Sequence, residues 1–186
     1  MATNLDLEFA HAVVYVSDMD DMVDFYTRIL GFEVTDRGPV GDENSPEIVF
    51  MSQTATHHHQ IAFLDIRKET GPSNSVNHLA FRSSGTLDDL RALNSVLEAD
   101  EGVTNIRPMT HGNAWSVYFA DPEGNGVEVF IDTPWHIHQP QGKPIDLSMS
   151  DDELVASTEA AFEGEIVSPL TDFYDQRAEH LASRND

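Results

Sequence analysis

The spacing of apolar residues changes twice within the first third of the chain, and each change marks a new element. Residues 9–16 are mostly β-branched and aromatic, which predicts a buried strand. Ser17 and Asp18 then offer helix N-caps, and Gly31 stands where a C-terminal cap would. The intervening stripe at spacings of three and four predicts an amphipathic helix: Met22, Phe25, Tyr26, Ile29 and Leu30. Three strands are predicted next, at residues 32–37, 47–52 and 58–65.

The same βαβββ order begins again after a linker rich in Gly, Pro and Ser at residues 71–75. The capping pair Thr86 and Asp89 predicts that a helix begins there. The further predicted elements are a strand at 76–82, the helix at 86–101, and strands at 105–110, 114–120 and 126–131, the last two joined by a turn at 121–125. The second part of the chain therefore repeats the first.

Beyond the repeat, Ser150 and Glu153 form another capping pattern, which predicts a third helix followed by a polar tail that looks like an appendage. We predict an α+β protein with two βαβββ modules. The modules are residues 1–70 and 71–135, and residues 136–186 form a C-terminal loop and helical extension.

The repeat can be aligned residue by residue. FAHAVVYVS lies over VNHLAFRSS, which places His11 on His78, and QIAFL lies over GVEVF, which places Ala62 on Glu128. Each module thus has a histidine near the start of its first strand, and only the second has a carboxylate on its last strand. Side chains alternate between the two faces of a strand, so Glu128 lies on the opposite face from its neighbours Val127 and Val129. A buried charge at that position needs a metal or a cationic partner. Glu123 lies in a turn and has no such need.

Two imidazoles and one carboxylate on separate strands are the donor set of a non-haem iron(II) oxygenase, since they hold one face of an octahedron and leave three positions open. A single strand histidine is more often a hydrogen-bonded or surface residue. The equivalent placement of His11 and His78 within the repeat, completed by Glu128, favours a metal site.

Composition narrows the function classes. The 33 acidic and 10 basic residues give a formal net charge of −23, which disfavours nucleic acid and anionic membranes as partners and is also one route to solubility in high salt. The absence of cysteine excludes disulfides, thiolate nucleophiles and cysteine-bound metals. With a polar start and no apolar run of about 18 residues, we expect a cytoplasmic protein.

Four segments resemble the type I extradiol ring-cleaving dioxygenases of the vicinal oxygen chelate superfamily: HAVVYVSDMDDMVDFYTRILGFEV, HHHQIAFLD, NHLAFRS and HGNAWSVYFADPEGNGVEVF. The resemblance covers residues 9 to about 131 and implies a short, one-domain member. It implies that iron(II), with Mn(II) as the alternative, binds a catechol-type diol and O2. The implied metal ligands are His11, His78 and Glu128, and the implied catalytic residues are His59, His111 and Tyr118.

Each implied catalytic residue has an ordinary structural alternative. His59 would accept and return a substrate proton, but strand register decides whether His58 faces the site instead. His111 could simply belong to a hairpin turn, and Tyr118 could be a core tyrosine. Three further side chains either close the substrate pocket or lie in a strand-exit loop: Trp135, His136 and His138.

Other functions share this fold. The resemblance implies that isomerases of the glyoxalase I and epimerase type use four protein ligands, and Ala62 cannot be one, although Gln60 could be if the register slipped by two. Fosfomycin resistance enzymes use three metal ligands, but their reaction has no evident use for His59, His111 and Tyr118. Metal-free bleomycin-resistance proteins bind a cationic drug, which an acidic surface would suit. The identity of the diol and the formation of a homo-oligomer are left open.

Overall fold

The computed structural model describes residues 8–73 and 75–183, so the chain ends and linker residue Asn74 lie outside the described residues. The chain divides into two compact units. The first contains Met1–Asn77, Gly102–Thr104 and Ala120–Gly126. The second contains His78–Glu101, Asn105–Phe119 and Val127–Asp186. In the described part of the chain, no helix is long and apolar enough to cross a membrane.

The first unit has the predicted βαβββ order. Its elements are β1 (Ala12–Val16), α1 (Met19–Arg28), β2 (Glu33–Pro39), β3 (Glu47–Ser52) and β4 (Ile61–Asp65). Asp18 caps α1 by accepting from the Asp21 amide, and Met22, Phe25 and Tyr26 on the predicted stripe are buried. The sheet order is β1-β4-β3-β2, with β1 parallel to β4 and Val13 opposite Ala62.

The second unit repeats this order with β5 (Leu79–Arg82), α2 (Leu87–Ala99), β6 (Thr104–Thr110), β7 (Ala114–Ala120) and β8 (Gly126–Asp132). The predicted capping box of Thr86 and Asp89 is present. β5 runs parallel to β8, and Ala80 lies opposite Glu128. Since Val13 and Ala80 each follow a module's histidine by two residues, this register gives Ala62 and Glu128 equivalent positions in their sheets.

The remaining elements are β9 (Trp135–Ile137), β10 (Lys143–Pro144), α3 (Asp151–Ala161), β11 (Ile166–Pro169) and α4 (Leu170–Ala182). α3 begins at the predicted capping box of Ser150 and Glu153. β10 extends the second sheet, whose order is β10-β6-β7-β8-β5, and β9 pairs with β11.

The predicted C-terminal helical extension is present, and its first helix, α3, packs within the second unit. Leu154 and Phe162 are completely buried, and the indole Nε1 of Trp115 on β7 donates to Thr158 Oγ1 on α3 at 2.9 Å. The segment that was predicted to be a tail forms β11 and α4, where Leu170 is buried. A few buried apolar residues, rather than a continuous apolar stripe, attach residues 150–183 to the rest of the second unit: Leu154, Phe162 and Leu170.

Three strands begin three residues later than predicted, at Ala12, Ile61 and Leu79. The pairing of β1 with β4 starts at Ala12 opposite Ile61, and that of β5 with β8 starts at Leu79 opposite Val127. His11 and His78 therefore each lie immediately before a strand, where the backbone leaves the ladder.

Candidate metal centre

Glu128 is a buried carboxylate of the second unit with several polar neighbours. It lies on β8, is only 7% exposed, and its Oε2 is 3.1 Å from His78 Nε2. Ser116 on β7 donates its hydroxyl to Glu128 Oε1 at 2.7 Å. His111 Nε2 lies 3.8 Å from the same oxygen. The carboxylate is thus buried with a hydroxyl donor and two imidazoles, as a buried charge requires.

Tyr118 and His111 form a second layer on the same side of the sheet. The Tyr118 hydroxyl is 2.9 Å from His111 Nε2, while His111 Nδ1 bonds to the Gln141 carbonyl oxygen. Because a carbonyl can only accept, Nδ1 carries a proton, and in the neutral imidazole Nε2 accepts from the Tyr118 hydroxyl. The backbone of residue 141 therefore sets the tautomer of His111.

Burial raises the pKa of Tyr118 well above its ordinary value, and a hydrogen bond to Glu128 and the charge of Glu128 raise it further. Arg107 has the opposite, smaller effect. The ring of Tyr118 also meets the His78 ring edge to face, with centroids 5.2 Å apart. Tyr118 consequently stays protonated and can act as a hydrogen-bond donor at neutral pH.

In the first unit, His11 and His59 lie against each other, with ring centroids 4.2 Å apart. The His59 ring also contacts Phe50 at 4.8 Å, and its Nδ1 is 3.0 Å from His58 Nδ1. Burial lowers the pKa of His59, and the neighbouring imidazoles of His11 and His58 lower it further. A histidine held neutral in this way is suited to accept a proton.

The other members of the histidine run lie differently. His58 is exposed and touches Phe50 edge to face at 5.8 Å. His57 points its Nε2 towards Glu8 at 3.9 Å, and its buried Nδ1 has no hydrogen-bond partner among the described residues. Among the described residues, His59 is the member of this run whose ring lies against His11.

His78 and Glu128 fit a metal ion by their donor chemistry and spacing. Adjacent ligands of an octahedral ion at about 2.1 Å are about 3.0 Å apart, and the separation here is 3.1 Å. In residues 8–73 and 75–183, no group of three or more His, Asp or Glu side chains meets the criteria for holding a metal. The fit thus covers two donors, both from the second unit.

Three contributors were missed or misjudged at the sequence level. Ser116 could have been found, because it lies two residues from Tyr118 on the same strand face. Gln141 acts through its carbonyl, which no side-chain pattern reveals. Glu123 was judged to need no partner, and this was wrong: it is buried, pairs with Arg67 at 3.3 Å and accepts from the amides of Ser17 and Asp18.

The aromatic residues after β8 have packing roles. Trp135 meets Trp115 edge to face at 6.0 Å, and His136 stacks on Phe173 of α4 at 4.0 Å. His111 lies in a hairpin turn, as its structural alternative predicts, and its catalytic role stays a prediction. Its amide bonds to the Ala114 carbonyl in the hairpin between β6 and β7, while its ring reaches Tyr118.

The family of the chain follows from comparison with known proteins. The glyoxalase/bleomycin resistance protein/dioxygenase superfamily matches residues 8–129, and the chain belongs to this family. The predicted family and the predicted fold of two βαβββ modules are thereby confirmed.

Among curated relatives, the metapyrocatechase of Pseudomonas sp. (strain CF600) is 26% identical over 72% of this chain and 43% of its own length. Biphenyl-2,3-diol 1,2-dioxygenase 2 of Rhodococcus globerulus is 31% identical over 67% of this chain and 63% of its own length. The chain therefore spans about half the length of these relatives.

Solved structures share the fold at lower identity. A glyoxylase/bleomycin resistance protein/dioxygenase domain from Frankia sp. EAN1pec has a TM-score of 0.56 and 19% identity, covering 72% of this chain and 96% of that one. The trypanothione-dependent glyoxalase I of Leishmania major has a TM-score of 0.53 and 16% identity, covering 85% and 96%. These likenesses show the fold alone.

Proposed function

We propose that the protein is a non-haem iron(II) extradiol dioxygenase that opens the ring of a catechol-type diol with O2. The observation that carries the proposal is the buried carboxylate of Glu128, which has His78 Nε2 at 3.1 Å and a supporting hydroxyl from Ser116. The named activities of the curated relatives support the reaction class. The third proposed ligand, His11, rests on the sequence repeat and the family resemblance, and Mn(II) is the alternative metal.

Bound iron(II) would supply joint coordination of the diol and dioxygen and the transfer of electron density between them. The strand register shows why Ala62 matters to the proposed site. It is the counterpart of Glu128 in the first sheet and offers no donor atom, so the proposed site has three protein ligands and keeps positions open for substrate.

His59 is the proposed acid–base residue. Its lowered pKa keeps the ring neutral near pH 7, so that it can accept a proton from a diol hydroxyl and return it later. Contacts with the rings of His11 and Phe50 fix its orientation. A general base needs such restraint because proton transfer requires hydrogen-bond distance in the bound complex.

Tyr118 and His111 are proposed to bind the diol oxygens. The raised pKa of Tyr118 leaves its hydroxyl protonated, which makes it a donor to a developing negative charge. In the structure His111 Nε2 accepts this one hydroxyl proton, which would turn to the diol oxygen on binding, and the Gln141 carbonyl accepts from His111 Nδ1. Together they form a hydrogen-bonded pair whose geometry is set before substrate arrives.

The isomerase alternative depended on Gln60 as a fourth ligand. Ala62 lies opposite Val13, as the unshifted register requires, and the Gln60 side-chain oxygen accepts from the Gln53 amide at 2.9 Å. Gln60 is thus engaged in its own loop.

The metal-free drug-binding alternative differs from the proposal in metal content, which analysis of freshly purified protein measures.

Oxygen uptake tests the proposed function. Protein purified without oxygen and loaded with iron(II) is mixed with catechol or 2,3-dihydroxybiphenyl, and we expect one O2 consumed per diol together with the absorbance of a ring-opened semialdehyde. No uptake with any diol, from protein shown to retain its iron, would overturn the proposal.

A further inference from the structure

Arg107 lies beside the candidate site without a carboxylate partner. Its guanidinium carbon is 5.8 Å from the centre of the Tyr118 ring, and its side chain is exposed. The arginines that pair with carboxylates in the described part of the chain are Arg28, Arg37, Arg67, Arg82 and Arg91. In the same residues, no ion pair involves Arg107.

Five of the seven described arginines pair with a carboxylate, so Arg107 and Arg177 are the exceptions, and of these two only Arg107 lies against a residue of the candidate site. Arg82, on β5 of the same sheet, shows the ordinary outcome, because it pairs with Asp132 and also lies over Tyr174. The five donors of the Arg107 guanidinium have no carboxylate acceptor among the described residues. Its positive charge therefore remains available to a ligand in an otherwise acidic molecule.

The position of Arg107 relates it to the proposed chemistry. The hydroxyl of Tyr118 reaches His111 Nε2 at 2.9 Å, while Arg107 faces the ring of the same tyrosine. Because the guanidinium carbon is 5.8 Å from the centre of the Tyr118 ring, Arg107 is within reach of a substituent on an aromatic ring bound beside that tyrosine. The guanidinium offers such a substituent a positive charge and a planar array of donors.

We infer that Arg107 is a specificity-determining residue that selects diols carrying a carboxylate on the ring. The inference rests on the proposed function, since it places the diol oxygens at the Tyr118 hydroxyl. Arginine suits this task because its parallel N–H groups match the two oxygens of a carboxylate. It is a local exception to the net charge of −23, which by itself would disfavour anionic substrates.

The test compares protocatechuate, which carries a ring carboxylate, with catechol, which does not. Two measurements are made on each of four iron-loaded proteins: the full chain and its variants Arg107→Gln, Arg107→Lys and Arg177→Gln. Calorimetric titration without oxygen gives Kd, and oxygen uptake gives kcat/KM. Arg177 is the matched control because it is an exposed arginine of the same unit on α4, and no described ion pair involves it.

We expect wild-type protein to prefer protocatechuate, and Arg107→Gln to lower the ratio of the two affinities by about 10- to 100-fold, as for loss of a charged hydrogen-bonded pair. Arg107→Lys should keep part of the preference, because lysine retains the charge but not the planar fork. Arg177→Gln should leave the ratio at its wild-type value.

Two results would overturn the inference: wild-type protein that binds protocatechuate no more tightly than catechol, or an Arg107→Gln variant that weakens both diols equally. Failure of the proposed function is distinguishable, because it is the absence of oxygen uptake with both diols. In that case the ratio of the Kd values for protocatechuate and catechol, measured without oxygen, tests by itself whether Arg107 binds the carboxylate.

Discussion

At the scale of single residues, the candidate site depends on neighbouring groups that fix the positions of Glu128 and His111. Glu128 has its oxygens fixed by Ser116 and His78, and His111 has its tautomer fixed by a backbone carbonyl. The repeat and the family motifs led to the proposed ligands and catalytic residues, whose roles stay predictions. The supporting partners were not predicted, because a serine hydroxyl or a main-chain oxygen has no distinctive sequence pattern until the strand register is known.

Ser116→Ala tests the support of Glu128. The variant removes the hydroxyl donor at 2.7 Å and leaves one carboxylate oxygen without its partner, so we expect iron(II) affinity to fall by about 10-fold. Competition with a fluorescent chelator measures it. Ser95→Ala is the control, because that hydroxyl only bonds to the Arg91 carbonyl on the exposed face of α2. Equal affinity of Ser116→Ala and wild type would contradict the role.

Glu128→Ala should weaken iron binding by at least about 100-fold, because it removes a proposed ligand rather than its support. Metal content after gel filtration against a chelator is the measurement. A variant that retains iron at the wild-type ratio would show that Glu128 is not a ligand.

His59→Phe should retain iron and lower kcat for diol cleavage by about 100-fold, the range for a general acid–base group. His58→Phe is the matched control, since the exposed His58 is its neighbour and has no ring contact with His11 among those described. Oxygen uptake under saturating diol measures both. A larger loss in His58→Phe than in His59→Phe would reverse the assignment.

At the scale of elements, the periodic patterns and caps located α1, α2, α3 and the strands of both modules, while the ends of strands depended on pairing. β3 and β7 have the predicted bounds, because both flanking turns interrupt the apolar pattern. β1 and β5 begin after their histidines, since their parallel partners begin only there. β11 and α4 were missed because their stabilising contacts come from β9 and the second unit, which no local pattern records.

The turn at 121–125 shows how an element can be fixed from a distance. Glu123 accepts from the Ser17 and Asp18 amides at the start of α1 and pairs with Arg67, and both charged side chains are largely buried. Gly124 has a φ of +82°, and a Cβ there would lie 2.8 Å from Gly71 Cα. The turn therefore acts as a structural support for the first unit.

Glu123→Ala should lower the free energy of unfolding by about 3 kcal/mol, because it removes the carboxylate that pairs with the largely buried Arg67 and leaves the Ser17 and Asp18 amides without their acceptor. Urea denaturation followed by circular dichroism measures the change. Glu47→Ala, which breaks an exposed pair with Arg37, should cost less than about 1 kcal/mol. Similar losses in the two variants would show that the Glu123 pair is not special.

At the scale of the whole molecule, the dominant property is charge. A formal net charge of −23 opposes compactness through self-repulsion, and the repulsion is screened as the Debye length shortens from about 30 Å to about 3 Å between 0.01 M and 1 M salt. Composition alone predicted this property, whereas the local cation at Arg107 required the structure.

Thermal unfolding should therefore be salt-dependent. We expect Tm to rise by several degrees, about 4 °C for each 1 kcal/mol gained at this size, as KCl increases over that range. Differential scanning calorimetry gives the measurement, and choline chloride controls for specific cation binding. A Tm that falls or stays constant in KCl would contradict the expected self-repulsion.

The equivalence of Ala62 and Glu128 has a consequence for how such chains diversify. The alanine codons GCA and GCG differ from glutamate codons by a single base, and GCU and GCC differ from aspartate codons by a single base, so one point mutation can place a carboxylate in the first module at the position that Glu128 occupies in the second. Two modules of equivalent register can thus change the number of donors through one codon, while every helix and strand around it is left unchanged.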